Sequence, residues 1–232
     1  MQHSSSVNPT WLDLYEWRER VARMYRARAE ALGAGHDPRA TWESWRTAKD
    51  AHFAHHPQSP LAAEQRATFT GLRYFDYDPA FAVEADLEPV AEADDATMSA
   101  SGPHTMRFRR AAVARLTLGG TAFTLNVYWI DIYGGGLFLP FRDATSGAET
   151  YGGGRYLFDT VKGSDFIRLE GPPPATGADT AAMGYAGGRV LLDFNYAYNP
   201  SCAYDARWVC PLAPNENRLP LPVRAGELAY EH

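Results

Sequence analysis

Cysteine is scarce in this chain. Two thiols among 232 residues, Cys202 and Cys210, cannot make the disulfide framework of a small secreted domain. No run of about 18 apolar residues is present to span a bilayer, and the N-terminus lacks the basic start and apolar stretch of a secretory signal. Basic charge is also in short supply: 22 Lys and Arg face 28 Asp and Glu, a net charge of −6 with no long block of either sign. A nucleic-acid footprint needs a basic stripe to displace phosphate counterions, so that class of partner is excluded. There is no internal repeat, no Ser-His-Asp order, no carboxylate pair at a defensible geometry and no cofactor fingerprint. These absences predict a cytoplasmic protein without membrane partner, metal or cofactor, whose thiols stay reduced. A homodimer is compatible with them.

What is present suffices for a sizeable core. Hydrophobic residues make up 45% and aromatics 13%, well away from a disordered composition. The chain is expected to form one compact unit, with residues 1–66 as a helical segment packed on the body and 67–232 as an antiparallel β domain. In the first part, Asn8 is placed to cap a helix whose first turn holds Pro9, and Gly33 is a suitable stop. Leu14, Trp17, Val21 and Met24, with Tyr25 beside them, form one apolar stripe. Asp37 and Pro38 open a second helix anchored by Trp42, Trp45 and Phe53 and closed by Pro57. Ser59-Pro60 repeats the start signal for a short third helix towards Arg66. His52 and His56 lie one turn apart but lack the adjacent Glu of a zinc protease, so they read as a solvated helix end.

From about Phe69 the period changes to two. Short runs rich in Phe, Tyr, Val and Leu, among them "TMRFRRAAVARLTL", "TAFTLNVYWI", "GLFLPF", "GRYLF", "DFIRLEG", "GRVLLDFNYAY" and "RLPLPVRAGE", alternate with Gly or Pro clusters. Gly119-Gly120 is a hairpin signal, since both residues tolerate the positive φ of a tight primed turn. No helical pattern intervenes, so neighbouring runs pair antiparallel. The predicted fold is mainly β (α+β), an antiparallel barrel or sandwich with the N-terminal helices packed on one side. "EADDATMSASGP" and "EGPPPATGADTAAMGYAGG" read as exposed loops.

Three stretches, "WRTAKDAHFAHHPQSPLAAEQRATFTGLRYFDYDP", "LFLPFRDATSGAETYGGGRYL" and "LDFNYAYNPSCAYDARWVCPLAPNENRLPLPVRAGE", together resemble the bacterial family known as domain of unknown function 1684. The resemblance runs from about Trp45 to Glu227 and rests on specific strings such as "TYGGGRYL". It implies a bacterial cytosolic protein and carries no catalytic role with it.

Two polar stretches are the candidate site. In "FRDATSGAETYGGGRYL", Asp143, Thr145 and Ser146 sit at a strand end, and Gly152, Gly153 and Gly154 precede Arg155, whose guanidinium offers a bidentate fork to a carboxylate or phosphate. The lysine and following helix of a P-loop are missing. In "RVLLDFNYAYNP", strand alternation puts Asp193 and Asn195 on one face and Phe194, Tyr196 and Tyr198 on the other. The expectation is a small polar or anionic ligand lined by Asp143, Thr145, Ser146, Arg155, Asp193, Asn195 and Asn199. Arg155 would supply counter-charge, Asp193 would orient it or act as a base, and the Asn side chains would read ligand shape. The same residues serve equally as an internal polar network. Two other classes stay open: a metal-independent hydrolase or isomerase with Asp193 or Asp143 as base and Arg155 as stabiliser, and a structural or interaction module presenting Trp-rich helices. Cys202 and Cys210 are spaced too widely for a zinc knuckle and read as buried structural thiols.

Overall fold

The computed structural model describes residues 9–90, 95–103, 105–160, 162 and 187–231. The expected strand over 165–171 and nearly all of the expected loop after it lie outside them. The chain divides into two units between Gly71 and Leu72.

The first unit holds α1 (Trp11–Gly33), α2 (Pro38–His55) and α3 (Ala63–Ala67). Thr10, rather than Asn8, caps α1. Its hydroxyl accepts from the Asp13 amide at 3.2 Å while the Asp13 carboxylate accepts from the Thr10 amide at 2.6 Å, a reciprocal box that satisfies donors at both ends. The buried stripe is Trp17, Val21 and Tyr25, a row spaced by four, with Leu14 and Met24 half-buried at its margin. Asp37 and Pro38 start α2 as expected, the Asp37 carboxylate accepting from the Ala40 amide at 2.8 Å. Tyr25 meets Trp45 edge-on at 5.8 Å, and Trp17 meets Phe53 at the same separation, which locks the two helices face to face. Ser59 does not start α3. Its hydroxyl donates to the Phe53 carbonyl at 2.6 Å and accepts from the Leu61 amide at 3.2 Å, building a buried turn, and Gln65 takes over the capping by accepting from the Ala62 amide.

His52 and His56 are not a solvated helix end; both are buried. His52 stacks on the Trp17 ring at 3.9 Å, and His56 bonds the Glu16 carboxylate at 2.8 Å. Burial first, then the neighbouring His56 and Arg20, pulls the His52 pKa from 6.5 down to about 4, against smaller opposing pulls from the Trp17 backbone and then Glu16. In that window the unfolded chain holds a proton that the folded one refuses, so stability falls as pH falls through it and is intact above 6.5. Urea unfolding at pH 7.5 and 4.5 is expected to show His52→Phe losing about 2 kcal/mol less than the wild type between the two. Equal losses would mean that His52 titrates normally in the fold.

The second unit holds β1 (Ala82–Pro89), β2 (Asp95–Ser99), β3 (Thr105–Leu118), β4 (Thr121–Ile130), β5 (Leu137–Phe141), β6 (Arg155–Phe158) and β7 (Gly188–Asp193). The sheet runs β6-β5-β4-β3-β1-β7, all pairs antiparallel, and curls into a half-barrel. Gly119 and Gly120, at φ of 58° and 79°, make the predicted two-residue turn between β3 and β4. The long β3 is shared along its outer edge: β2 pairs with its first half and β1 with its second. One apolar face, including Ala85, Leu87, Ala114, Leu116, Leu125, Val127, Val190 and Leu192, makes the core, and Phe108, Tyr128, Phe138, Tyr156 and Tyr198 form an aromatic cluster beside it.

Three segments differ from expectation. Residues 95–99, expected as loop, form β2, a strand with Met98 as its one fully buried side chain. After Asp193 the chain turns into a 3-10 helix over Phe194–Tyr196, so strand alternation stops there. The run from Arg218 to Glu227 is no strand; it contributes isolated bridges at Arg142 and Tyr74. No helix among the described residues is long and apolar enough to cross a membrane.

Candidate functional site

Phe141 ends β5 in the core, and the next residues carry the chain into a polar turn. The buried Asp143 carboxylate accepts from the Thr145 amide at 3.1 Å and hydroxyl at 2.7 Å, from the Ser146 hydroxyl at 3.3 Å, and from the Val223 amide at 2.7 Å. Arg155 opens β6 and points into the same spot with its side chain fully buried. Its guanidinium pairs with Asp143 at 3.3 Å and donates to the carbonyls of Val223 at 2.8 Å, Glu227 at 3.3 Å and Ala225. Burial pulls the pKa of this guanidinium down, and Asp143 is the strongest charge opposing the shift. Four of the seven predicted residues, Asp143, Thr145, Ser146 and Arg155, thus converge, and they bind each other and the strap at 223–227. Gly154, at φ of 95°, is required by close approach of the chain to itself, since a Cβ there would lie 2.6 Å from the Ala213 Cβ and 2.7 Å from the Phe141 carbonyl.

Asn199 joins through Glu227, a buried carboxylate that the sequence reading passed over. The Asn199 amide donates to Glu227 at 2.7 Å and the Asn199 side chain to the Leu228 carbonyl at 2.8 Å, while Tyr204 and Tyr74 donate their hydroxyls to Glu227 at 2.5 and 3.0 Å. Asp193 and Asn195 go elsewhere. The Asp193 carboxylate accepts from the Asn195 amide and side chain, and Asn195 in turn brackets the Asp78 backbone, accepting from its amide at 3.0 Å and donating to its carbonyl at 2.9 Å. This clamp fastens the end of β7 to the turn ahead of β1. The two polar stretches touch through an isolated antiparallel bridge between Tyr156 and Tyr198, both buried.

Open space lies at a different place. A solvent-open groove of about 730 Å3 is bounded by β1, β3 and β4 and by a short turn that carries Glu216 and Arg218. Asn217, between those two and fully buried, fixes the turn: it accepts from the Asn126 amide at 2.8 Å and donates to the carbonyls of Asn126 and Pro140 at 2.8 and 2.7 Å. Glu84, Asp86, Arg115, Thr117 and Thr124 share one face of the sheet and line the groove with charges and hydroxyls, while the neighbouring Val83, Leu116 and Phe123 belong to the opposite face, packed on the core. Arg115 is tied to Glu88 at 2.9 Å, whereas no carboxylate pairs with Arg218 among the described residues. Asn217 was legible as a candidate only through its place in "PNENR", where a buried amide reads as one more polar turn residue. No group of three His, Cys, Asp or Glu side chains is arranged to hold a metal among the described residues.

A family model described as a protein of unknown function (DUF1684) matches residues 67–228, so the resemblance ahead of residue 67 falls outside the matched span. Among solved structures, the solution NMR structure of an uncharacterised protein of Haloarcula marismortui is 35% identical, with a TM-score of 0.55 over 83% of this chain and 95% of that one. No curated protein matches the chain.

Proposed function

This chain belongs to the DUF1684 family of proteins of unknown function, and we propose that it binds a small anionic molecule in the groove beside the Glu216–Arg218 turn. The observation that carries this reading is Arg218: a cation without a carboxylate partner among the described residues, on a turn pinned by Asn217, at the edge of a space the size of a small-molecule site. A guanidinium so held suits a carboxylate or phosphate, and the Thr117 and Thr124 hydroxyls beside it suit the polar groups of the ligand. Glu84, Asp86 and Glu216 around the same space repel polyanions and favour a small acid that also carries hydroxyl or amino groups. Arg155, the counter-charge expected from sequence, is a weaker candidate, because a ligand would have to displace Asp143 and three carbonyls from it. An Asp base at 143 or 193 has less support too, since both carboxylates are committed to amides in their own turns.

A thermal-shift panel of small hydroxy and amino acids and phosphate monoesters is expected to contain at least one compound that raises Tm at millimolar concentration. Arg218→Ala should abolish that rise while leaving the unliganded stability within about 0.5 kcal/mol of wild type, as surface substitutions do. A panel without any stabilising compound, or a rise that survives Arg218→Ala, overturns the reading.

A further inference from the structure

The two cysteines, expected from sequence to be buried and inert, are half-buried and face each other across the loop they bound. Cys202 lies in a 3-10 turn over Ser201–Ala203, and its amide donates to the Cys210 sulfur at 3.3 Å. Cys210 is held from the other side by the bend after β2: its amide donates to the Ser101 hydroxyl at 3.0 Å, and the Ser101 amide donates to its carbonyl at 2.8 Å. The Tyr151 hydroxyl lies 3.6 Å from the Cys202 sulfur. Two independently anchored thiols are thus presented to one another, the Cys202 amide donating to the Cys210 sulfur and the Tyr151 hydroxyl standing beside the Cys202 sulfur.

We infer that Cys202 and Cys210 form a thiol–disulfide exchange site for small aliphatic disulfides, with Cys202 as the attacking thiol and Cys210 as the resolving one. The assignment of roles follows from the donors. The Cys210 thiol, then Ser101 and Tyr151, lower the Cys202 pKa from 9 to about 6, while the same contact pushes Cys210 up. Cys202 is the more readily ionised thiol of the pair, and the thiolate is the nucleophile. In the first step the Cys202 sulfur attacks one sulfur of the disulfide, its S–S bond breaks, and one thiol leaves with a proton from solvent. In the second, Cys210 loses its proton, attacks the Cys202 sulfur of the mixed disulfide and expels the second thiol. The protein dithiol is oxidised to one disulfide and the small disulfide is reduced to two thiols.

The test treats the reduced, folded protein with hydroxyethyl disulfide at pH 7, quenches by alkylation and reads the peptides by mass. Wild type is expected to give the Cys202–Cys210 disulfide with no lasting adduct, Cys210→Ser to accumulate the mixed disulfide on Cys202, and Cys202→Ser to react at least about tenfold more slowly, as a protonated thiol does. The Cys210→Ser rate should fall as pH drops below neutral, and circular dichroism of both variants checks that they are folded. A lasting adduct on the wild type, equal rates for the two variants, or reaction only after addition of urea would each overturn the assignment.

Discussion

Asp143→Ala lowers the free energy of unfolding by about 3–5 kcal/mol, the range for removing one partner of a buried ion pair. The loss is large because Asp143 has two duties. It neutralises Arg155, whose side chain is fully shielded from water, and it accepts from the Val223 amide and from Thr145 and Ser146, so its removal leaves a buried cation and four donors to find new acceptors. The pair itself need not be strongly stabilising, because two charges taken out of water lose most of what their attraction returns. An Asp143→Leu, Arg155→Met double variant is accordingly expected to regain part of the single-variant loss, since it removes the orphaned charge. Urea denaturation of both variants measures this. A loss below about 1 kcal/mol for Asp143→Ala would mean that the guanidinium is solvated in solution and open to other partners.

Gly226→Ala is expected to cost about 2–6 kcal/mol, combining backbone strain with overpacking. Gly226 sits at φ of 81° under the strap, and a Cβ there would lie 2.6 Å from the Ala197 carbonyl, 2.8 Å from the Phe194 carbonyl and 2.8 Å from the Ala197 Cβ. None of these is the far end of a flexible side chain, so relief requires moving main chain. Gly119→Ala is the internal control. It shares the positive φ, at 58°, but nothing lies within 4 Å of its Cβ position, so it should lose only about 1–2 kcal/mol. Equal losses at the two positions, compared by the same denaturation midpoints, would show that conformation alone matters and that the strap has room to shift.

The reach of the sequence is uneven, and the unevenness has physical causes. The antiparallel sheet was legible because β3 and β4 alternate over many residues and because Gly119-Gly120 permits only a tight turn between them. The boundary of α2 was legible because Asp37 and Pro38 act locally, within one turn of the residues they cap. β2 was not, because a strand whose one fully buried residue is Met98 has almost no alternation to display and is specified by the partner edge of β3. At the candidate site, the polar residues of 143–155 are spatial neighbours, yet their type says only that they need partners. Whether Arg155 faces a ligand or Asp143 is decided by where the 223–227 strap falls, a contact some seventy residues away. Arg218 carried no local signal at all. What sets it apart is that no carboxylate pairs with it among the described residues, and that is a property of three-dimensional neighbours.

The strap bears on how the domain comes into being on the ribosome. Arg155 emerges 68 to 72 residues before the carbonyls that receive it. At roughly 5–20 residues per second, translation separates the synthesis of Arg155 from that of these carbonyls by several seconds. The full set of acceptors for Arg155 is therefore complete only once Val223, Ala225 and Glu227 have been made, so the guanidinium finds its native partners late in synthesis.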